Sequence, residues 1–136
     1  MKDNTRDVPR DLRERTTEFA LRIVRMYCAL PKSTEAQVLG KQVLRSGTSI
    51  GAHYREASRA RSKKEFVSKL EGGLAELDET DYWLELLVKA GIVDADRMKS
   101  LRDETNELLR IFATSIRTAK DKAEGRSRKS EVKRHK

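Results

Sequence analysis

After Pro31 the chain continues to residue 136 without another proline, and as far as Ile116 its apolar residues return every three or four positions. Proline removes a backbone donor and clashes with the preceding helical turn, so a proline-free stretch is open to long helices. The three–four spacing places the apolar side chains on one face of each helix. Aromatic residues make up only 5% of the chain, so a core has to be built mainly from Leu, Ile, Val and Ala. With 37% hydrophobic and 38% charged residues in 136, the chain fits one charge-rich, all-α domain.

Four amphipathic segments can be marked out. The first runs from about 11 to 29, with Leu12, Phe19, Ile23, Met26, Tyr27 and Leu30 as its stripe and Pro31 as its stop. The second runs from about 34 to 60, behind an N-cap at Ser33 or Thr34, with Leu39, Val43, Ile50, Tyr54 and Ala57 in register. The third, about 63 to 90, opens on Ser62-Lys63-Lys64-Glu65, which has the S-x-x-E form of a capping box. It carries Phe66, Leu70, Gly73, Leu77, Leu84, Leu87 and Val88, and Gly91 provides a stop. The fourth, about 95 to 122, is capped by Asp94 or Asp96 and lined by Met98, Leu101, Thr105, Leu108, Ile111, Phe112, Ser115 and Ile116. Connections of a few residues force consecutive helices to run antiparallel, giving an up-down-up-down four-helix bundle over residues 11–123. Residues 1–10 read as a polar arm, and 124–136 as a disordered basic tail without a core pattern.

The second helix has an unusual middle. Gly40, Gly47 and Gly51 each cost about 1 kcal/mol against Ala in a helix interior, roughly 3 kcal/mol together, which packing has to offset. The run Gly47, Ser49, Ile50 and Gly51 is therefore expected at a close helix–helix contact, within one subunit or between two.

Cys28 is the single cysteine, which excludes an internal disulfide; in its apolar run it is expected as a small buried hydrophobe. Met1–Asp7 is polar, without the apolar core of a signal peptide, and no segment approaches the roughly 20 apolar residues that span a bilayer. A soluble protein in the reducing cytoplasm, with no membrane partner, is the expectation.

No constellation for catalysis emerges. His53 and His135 are the only histidines, so the paired E-x-x-H motifs of a di-metal bundle are missing; neither metal nor cofactor is expected. Ser46, Ser49 and Ser58 lie near His53 without a suggested oxyanion donor. Gly47-Thr48-Ser49-Ile50-Gly51 lacks the spacing and the preceding strand of a phosphate loop. The acidic residues of the third helix spread around it as a solvated or salt-bridged face. An enzyme is not expected.

Charge is more informative. The net charge of +8 is distributed in blocks: +6 over residues 41–64, −7 over 65–96, and +5 over 125–136. Such blocks can pair within a bundle, pair between subunits, or bind polyanions. Lys41, Arg45, Arg55 and Arg59 lie near one side of the second helix, and Arg61, Lys63 and Lys64 extend them through the turn. Arg126, Arg128, Lys129, Lys133 and Arg134 fall in the tail. Clustered Lys and Arg bind phosphates through counterion release, with no sequence motif required. Tyr54 is the one ring near the helical cluster, so the sequence does not suggest base stacking. The acidic third helix competes for the same cations. An adaptor binding RNA or DNA, and a protein-only scaffold whose charge blocks join subunits, both fit.

The runs Leu44-Arg45-Ser46-Gly47-Thr48-Ser49-Ile50-Gly51-Ala52-His53-Tyr54-Arg55-Glu56-Ala57 and Glu79-Thr80-Asp81-Tyr82-Trp83-Leu84-Glu85-Leu86-Leu87, together with Phe19-Ala20-Leu21-Arg22-Ile23 and Ala29-Leu30-Pro31, resemble the four-helix-bundle proteins named after intervening sequences of 23S rRNA genes, also called S23 ribosomal proteins. The likeness covers roughly residues 11–118. Family members usually have Asn where His53 stands. The resemblance implies a bundle assembled as a ring-shaped homopentamer. A related accessory protein of diversity-generating retroelements binds a reverse transcriptase and nucleic acid through a basic surface, so those partners enter as expectations by resemblance.

Overall fold

A computed structural model describes the backbone of residues 8–134 and the side chains of residues 12–122. Four helices follow one another: α1 Val8–Cys28, α2 Thr34–Ser58, α3 Lys63–Lys89 and α4 Ala95–Arg134. Each packs on its sequence neighbour, and α1 meets α4 only sparingly. The α1–α2 and α3–α4 turns share one pole of the bundle. The α2–α3 turn, the start of α1 and the far end of α4 share the other.

Local chemistry sets the boundaries. Pro9 is tolerated because it lies in the first turn of α1, where its missing N–H has no helical acceptor to lose. Ser33 caps α2, accepting from the Ala36 N–H at 3.4 Å. Ser62 caps α3, accepting from the Glu65 N–H at 3.0 Å. The Glu65 carboxylate reaches back to the Arg61 N–H at 3.1 Å, one residue ahead of the one a capping box specifies. α3 ends in a Schellman turn: Gly91 adopts φ +75°, its N–H bonds the Val88 carbonyl, and the Ile92 N–H bonds that of Leu87.

Two expectations at the ends change. Val8–Arg10 belong to α1, while residues 1–7 of the expected polar arm lie outside the described residues. The segment expected to be a disordered tail instead continues α4 to Arg134, twelve residues past the end near 122 that the apolar pattern suggested. After Ile116 and Ala119 the apolar stripe stops, but helix propensity does not. Ala, Glu, Lys and Arg dominate the extension, and Gly125 alone costs about 1 kcal/mol.

The predicted stripes supply most of the core: Leu12, Phe19, Ile23, Val43, Ile50, Leu70, Leu77, Leu84, Leu87, Met98, Leu108 and Phe112 are all buried. Thr16, Ser46, Thr80 and Thr105 are buried with them, each hydroxyl satisfied. Thr16, Thr80 and Thr105 donate to the carbonyls of Leu12, Glu76 and Leu101, each at 2.8 Å. Ser46 and Thr80 share a 2.7 Å bond that ties α2 to α3 inside the core. Cys28 is exposed rather than buried, because it lies five residues past Ile23 and points away from the face that Ile23 and Leu30 present.

The glycine-rich stretch of α2 forms a contact within the subunit, against α1. A methyl group on Gly40 would stand 2.5 Å from Leu30 Cδ1, one on Gly47 2.8 Å from Ile23 Cγ1, and one on Gly51 3.2 Å from Thr16 Oγ1. Ile50 is fully buried beside them. Ser49 is not part of the contact; it is half-buried, and its hydroxyl donates to its own helix at the Arg45 carbonyl, 2.7 Å away. Between α2 and α3 the roles reverse: the half-buried His53 ring lies over Gly72, where a methyl group would come within 2.7 Å of it.

Gly47→Ala should destabilise by about 1–3 kcal/mol through overpacking against the fully buried Ile23. Gly51→Ala should be near neutral, because about 1 kcal/mol of helix propensity offsets milder crowding. Urea denaturation of both variants measures the difference, and equal effects would contradict the packing described. Gly72→Ala should likewise be destabilising alone but neutral or stabilising beside His53→Asn, which makes room for the methyl group; additive effects in a double-mutant cycle would count against this contact.

Candidate functional site

The expected basic residues separate into groups once the helices are assembled. Arg45 turns to α3, pairing with Glu76 at 3.3 Å and closely with Glu79, whose carboxylate also accepts from the Trp83 indole at 3.0 Å. This is the internal charge pairing that competed with polyanion binding, and it removes Arg45 from the basic cluster. Lys69 on α3 pairs with Glu56 of α2 at 3.2 Å, and Lys120 of α4 with Glu71 of α3 at 3.1 Å. The acidic block of α3 is thus partly neutralised by both neighbouring helices. Arg55 leans toward α1, donating to Thr17 Oγ1 at 3.4 Å.

His53 is enclosed by the same pairing. Its Nε2 lies 4.0 Å from Glu76 Oε2, and its Nδ1 is buried without a hydrogen-bond partner. Among the described residues no group of three His, Cys, Asp or Glu side chains gathers closely enough to hold a metal ion.

Lys41, Arg59, Arg61, Lys63 and Lys64 are exposed and form no ion pair with the described residues. Lys41 stands apart, in the first half of α2. The other four share one short loop: Arg59 is the C-cap of α2, and Lys63 and Lys64 open α3. The capping geometry that turns the chain between these helices also holds the cations at the pole.

The second basic segment comes to the same pole. Phe112 of α4 lies over Gly73 of α3, ten residues from the start of α3, so α4 passes the level of Lys63 near residue 122. Its backbone continues to Arg134, about 18 Å further at 1.5 Å per residue. Arg126, Arg128, Lys129, Lys133 and Arg134 lie on that extension, beyond the end that carries Arg59, Arg61, Lys63 and Lys64. Two clusters separated by more than sixty residues in sequence therefore belong to one end of the molecule.

Aromatic groups also gather there, which the sequence did not disclose. Tyr54, Phe66 and Phe112 line a pocket of about 290 Å³ with Leu12, Leu70, Ser58 and Ser115. The Tyr54 and Phe112 rings are 6.3 Å apart and tilted by 57°. Burial pushes the Tyr54 phenol above its ordinary pKa, with Arg13 pulling the other way. The nearness of Tyr54 and Phe66 across a tight turn is implicit in the antiparallel order; that of Phe112 needs the register of α4, which no local signal sets.

At the opposite pole, Arg22, Arg25 and Arg97 edge a cleft of about 540 Å³ where α1 and α4 diverge, but Glu18 and Asp94 stand in the same walls. No helix among the described residues is long and apolar enough to cross a membrane.

The fold has a solved counterpart. The crystal structure of a protein with unknown function from the S23 ribosomal protein family of Bacteroides thetaiotaomicron is similar to it, with a TM-score of 0.76 and 38% identity over 80% of this chain and 97% of that one. No protein of curated function matches the sequence. A family model described as 23S rRNA-intervening sequence protein matches residues 11–114, which takes in most of the bundle, and by that match the chain belongs to the 23S rRNA-intervening sequence protein family.

Proposed function

We propose that this protein is a non-enzymatic, self-assembling adaptor that binds nucleic acid by charge at the pole carrying the α2–α3 turn and the end of α4. The observation that supports this most is the set of four exposed cations, Arg59, Arg61, Lys63 and Lys64, without a carboxylate partner within salt-bridge distance among the described residues, in a molecule that pairs many of its other charges. Unpaired cations held on a rigid turn keep their full attraction for phosphates. The helical extension adds basic residues along one continuation of the same pole. Binding of this kind releases counterions and needs no base contacts.

Self-assembly is supported by apolar side chains left in solvent on three helices. Leu21 and Val24 of α1, Val38 of α2 and Tyr82 of α3 are 44%, 38%, 56% and 52% exposed. A ring of five copies is the assembly that the family resemblance suggests. A reverse transcriptase is one class of nucleic-acid enzyme that such an adaptor would serve, and the cytoplasm, where an exposed Cys28 stays reduced, is the matching compartment. The protein-only scaffold draws its support from Arg45, whose pairing with Glu76 and Glu79 shows that part of the charge pattern is structural.

Fluorescence anisotropy with a labelled RNA or DNA of about 20 nucleotides at low salt separates the two readings. The adaptor predicts binding that weakens at least tenfold when residues 124–136 are removed, and again when Arg59, Arg61, Lys63 and Lys64 are changed to Gln. Absence of binding at low salt would sink it in favour of the scaffold. Light scattering should give a mass about five times the 15.6 kDa of one chain, and a monomer would remove the assembly part of the proposal.

A further inference from the structure

The pocket lined by Tyr54, Phe66 and Phe112 sits in the elbow of the basic turn. Its floor is buried: Leu12, Tyr54, Leu70 and Phe112 are each no more than 6% exposed. Its rim is accessible: Ser58, in the last turn of α2, is exposed, while Phe66, in the first turn of α3, and Ser115 of α4 are half-buried. Ser58 and Phe66 are therefore the two ends of the loop that carries Arg59, Arg61, Lys63 and Lys64. Phe66 is the ring of the three with an accessible face, and with two serine hydroxyls at the rim and cations on the adjoining loop the pocket presents three kinds of surface at once. A nucleotide has the matching parts: a flat π-face, polar edges and an anionic link to its neighbours.

We propose that this pocket receives a single unpaired nucleobase from a strand whose phosphates lie on the basic turn. The inference rests on the functional reading above and adds to it a preference for single strands. Base-paired nucleotides are stacked on both faces and cannot enter the pocket, whereas an unpaired base can leave its strand and stack on aromatic side chains. A volume of about 290 Å³ is ample for one base. The polar groups of the lining are the hydroxyls of Tyr54, Ser58 and Ser115, which both donate and accept, so the preference is for an unpaired base rather than for a sequence.

Three probes test this on the full-length protein: a single-stranded 12-mer, a duplex of the same length, and inorganic polyphosphate of similar charge, which has no bases. The wild-type protein should prefer the single strand, and a 2-aminopurine in that strand should lose fluorescence on binding as it stacks. Ser115→Leu fills the pocket from α4 and Ser58→Leu narrows its mouth from α2. Each should weaken single-strand binding about tenfold, the order expected for one lost base stack, and leave polyphosphate binding unchanged. Ser58 is exposed, so its variant remains informative if Ser115→Leu fails to fold. Unchanged single-strand affinity in a folded variant, or 2-aminopurine emission that stays constant as anisotropy rises, would overturn the pocket while leaving the charge-based adaptor standing. Failure of the wild-type protein to bind any of the three probes would overturn both.

Discussion

The close approach of α1 to the glycine face of α2 is the constraint on which the rest of the bundle depends. Gly47 leaves room for Ile23, Gly51 for Thr16, and Gly40 for Tyr27 and for Leu30 just past the end of α1, so side chains from the α1 side occupy space that side chains would fill on α2. The helix-propensity cost of those glycines, roughly 3 kcal/mol, is tolerable only because α1 is drawn in to fill it. That approach turns Val43, Ile50 and Tyr54 toward the interior. From there Ser46 and Thr80 fix α2 against α3, and Phe112 on Gly73 carries the register to α4. The sparse seam between α1 and α4 is held by the two-pronged Arg15–Glu104 pair and by Arg22 on Ser100.

The same register decides where charge is spent. Because α2 and α3 lie side by side along their length, Arg45 reaches two carboxylates of α3, and Lys69 reaches back to Glu56. Midway along the bundle opposite charges neutralise one another. At the α2–α3 turn Arg59, Arg61, Lys63 and Lys64 form no ion pair with the described residues and face water. The antiparallel order then directs the end of α4 to that pole. A molecule with alternating charge blocks in sequence becomes one that is paired along its sides and basic at one end.

Much of this architecture is legible in the residues themselves. The apolar period marks the four helices, and Pro31, Ser33, Ser62 and Gly91 set their ends within a few residues, because those are local effects of backbone donors and allowed φ. What the sequence left open depends on tertiary geometry. The buried Thr16, Ser46 and Thr80 look like polar surface until their hydroxyls find helix carbonyls or each other, whereas Thr105 is buried where the stripe of the fourth helix puts it. Cys28 looks like core in a hydrophobic run and is exposed because period, not composition, decides the face. The extension of α4 carries no apolar stripe, so a reading based on burial missed it, although its propensities favour helix. Arg45 could be assigned to α3 or to solvent only when the distance to Glu76 was fixed.

The central claim is spatial: one pole of the bundle carries the binding function, and its sides do not. Backbone NMR of the full-length protein, titrated with a short single-stranded oligonucleotide, tests it directly. The account predicts chemical-shift changes concentrated at Arg59–Phe66 and along α4 beyond residue 122, with little change at the α1–α2 and α3–α4 turns. Shifts centred on the opposite pole, near Arg25 and Arg97, or spread evenly over the helices, would contradict it.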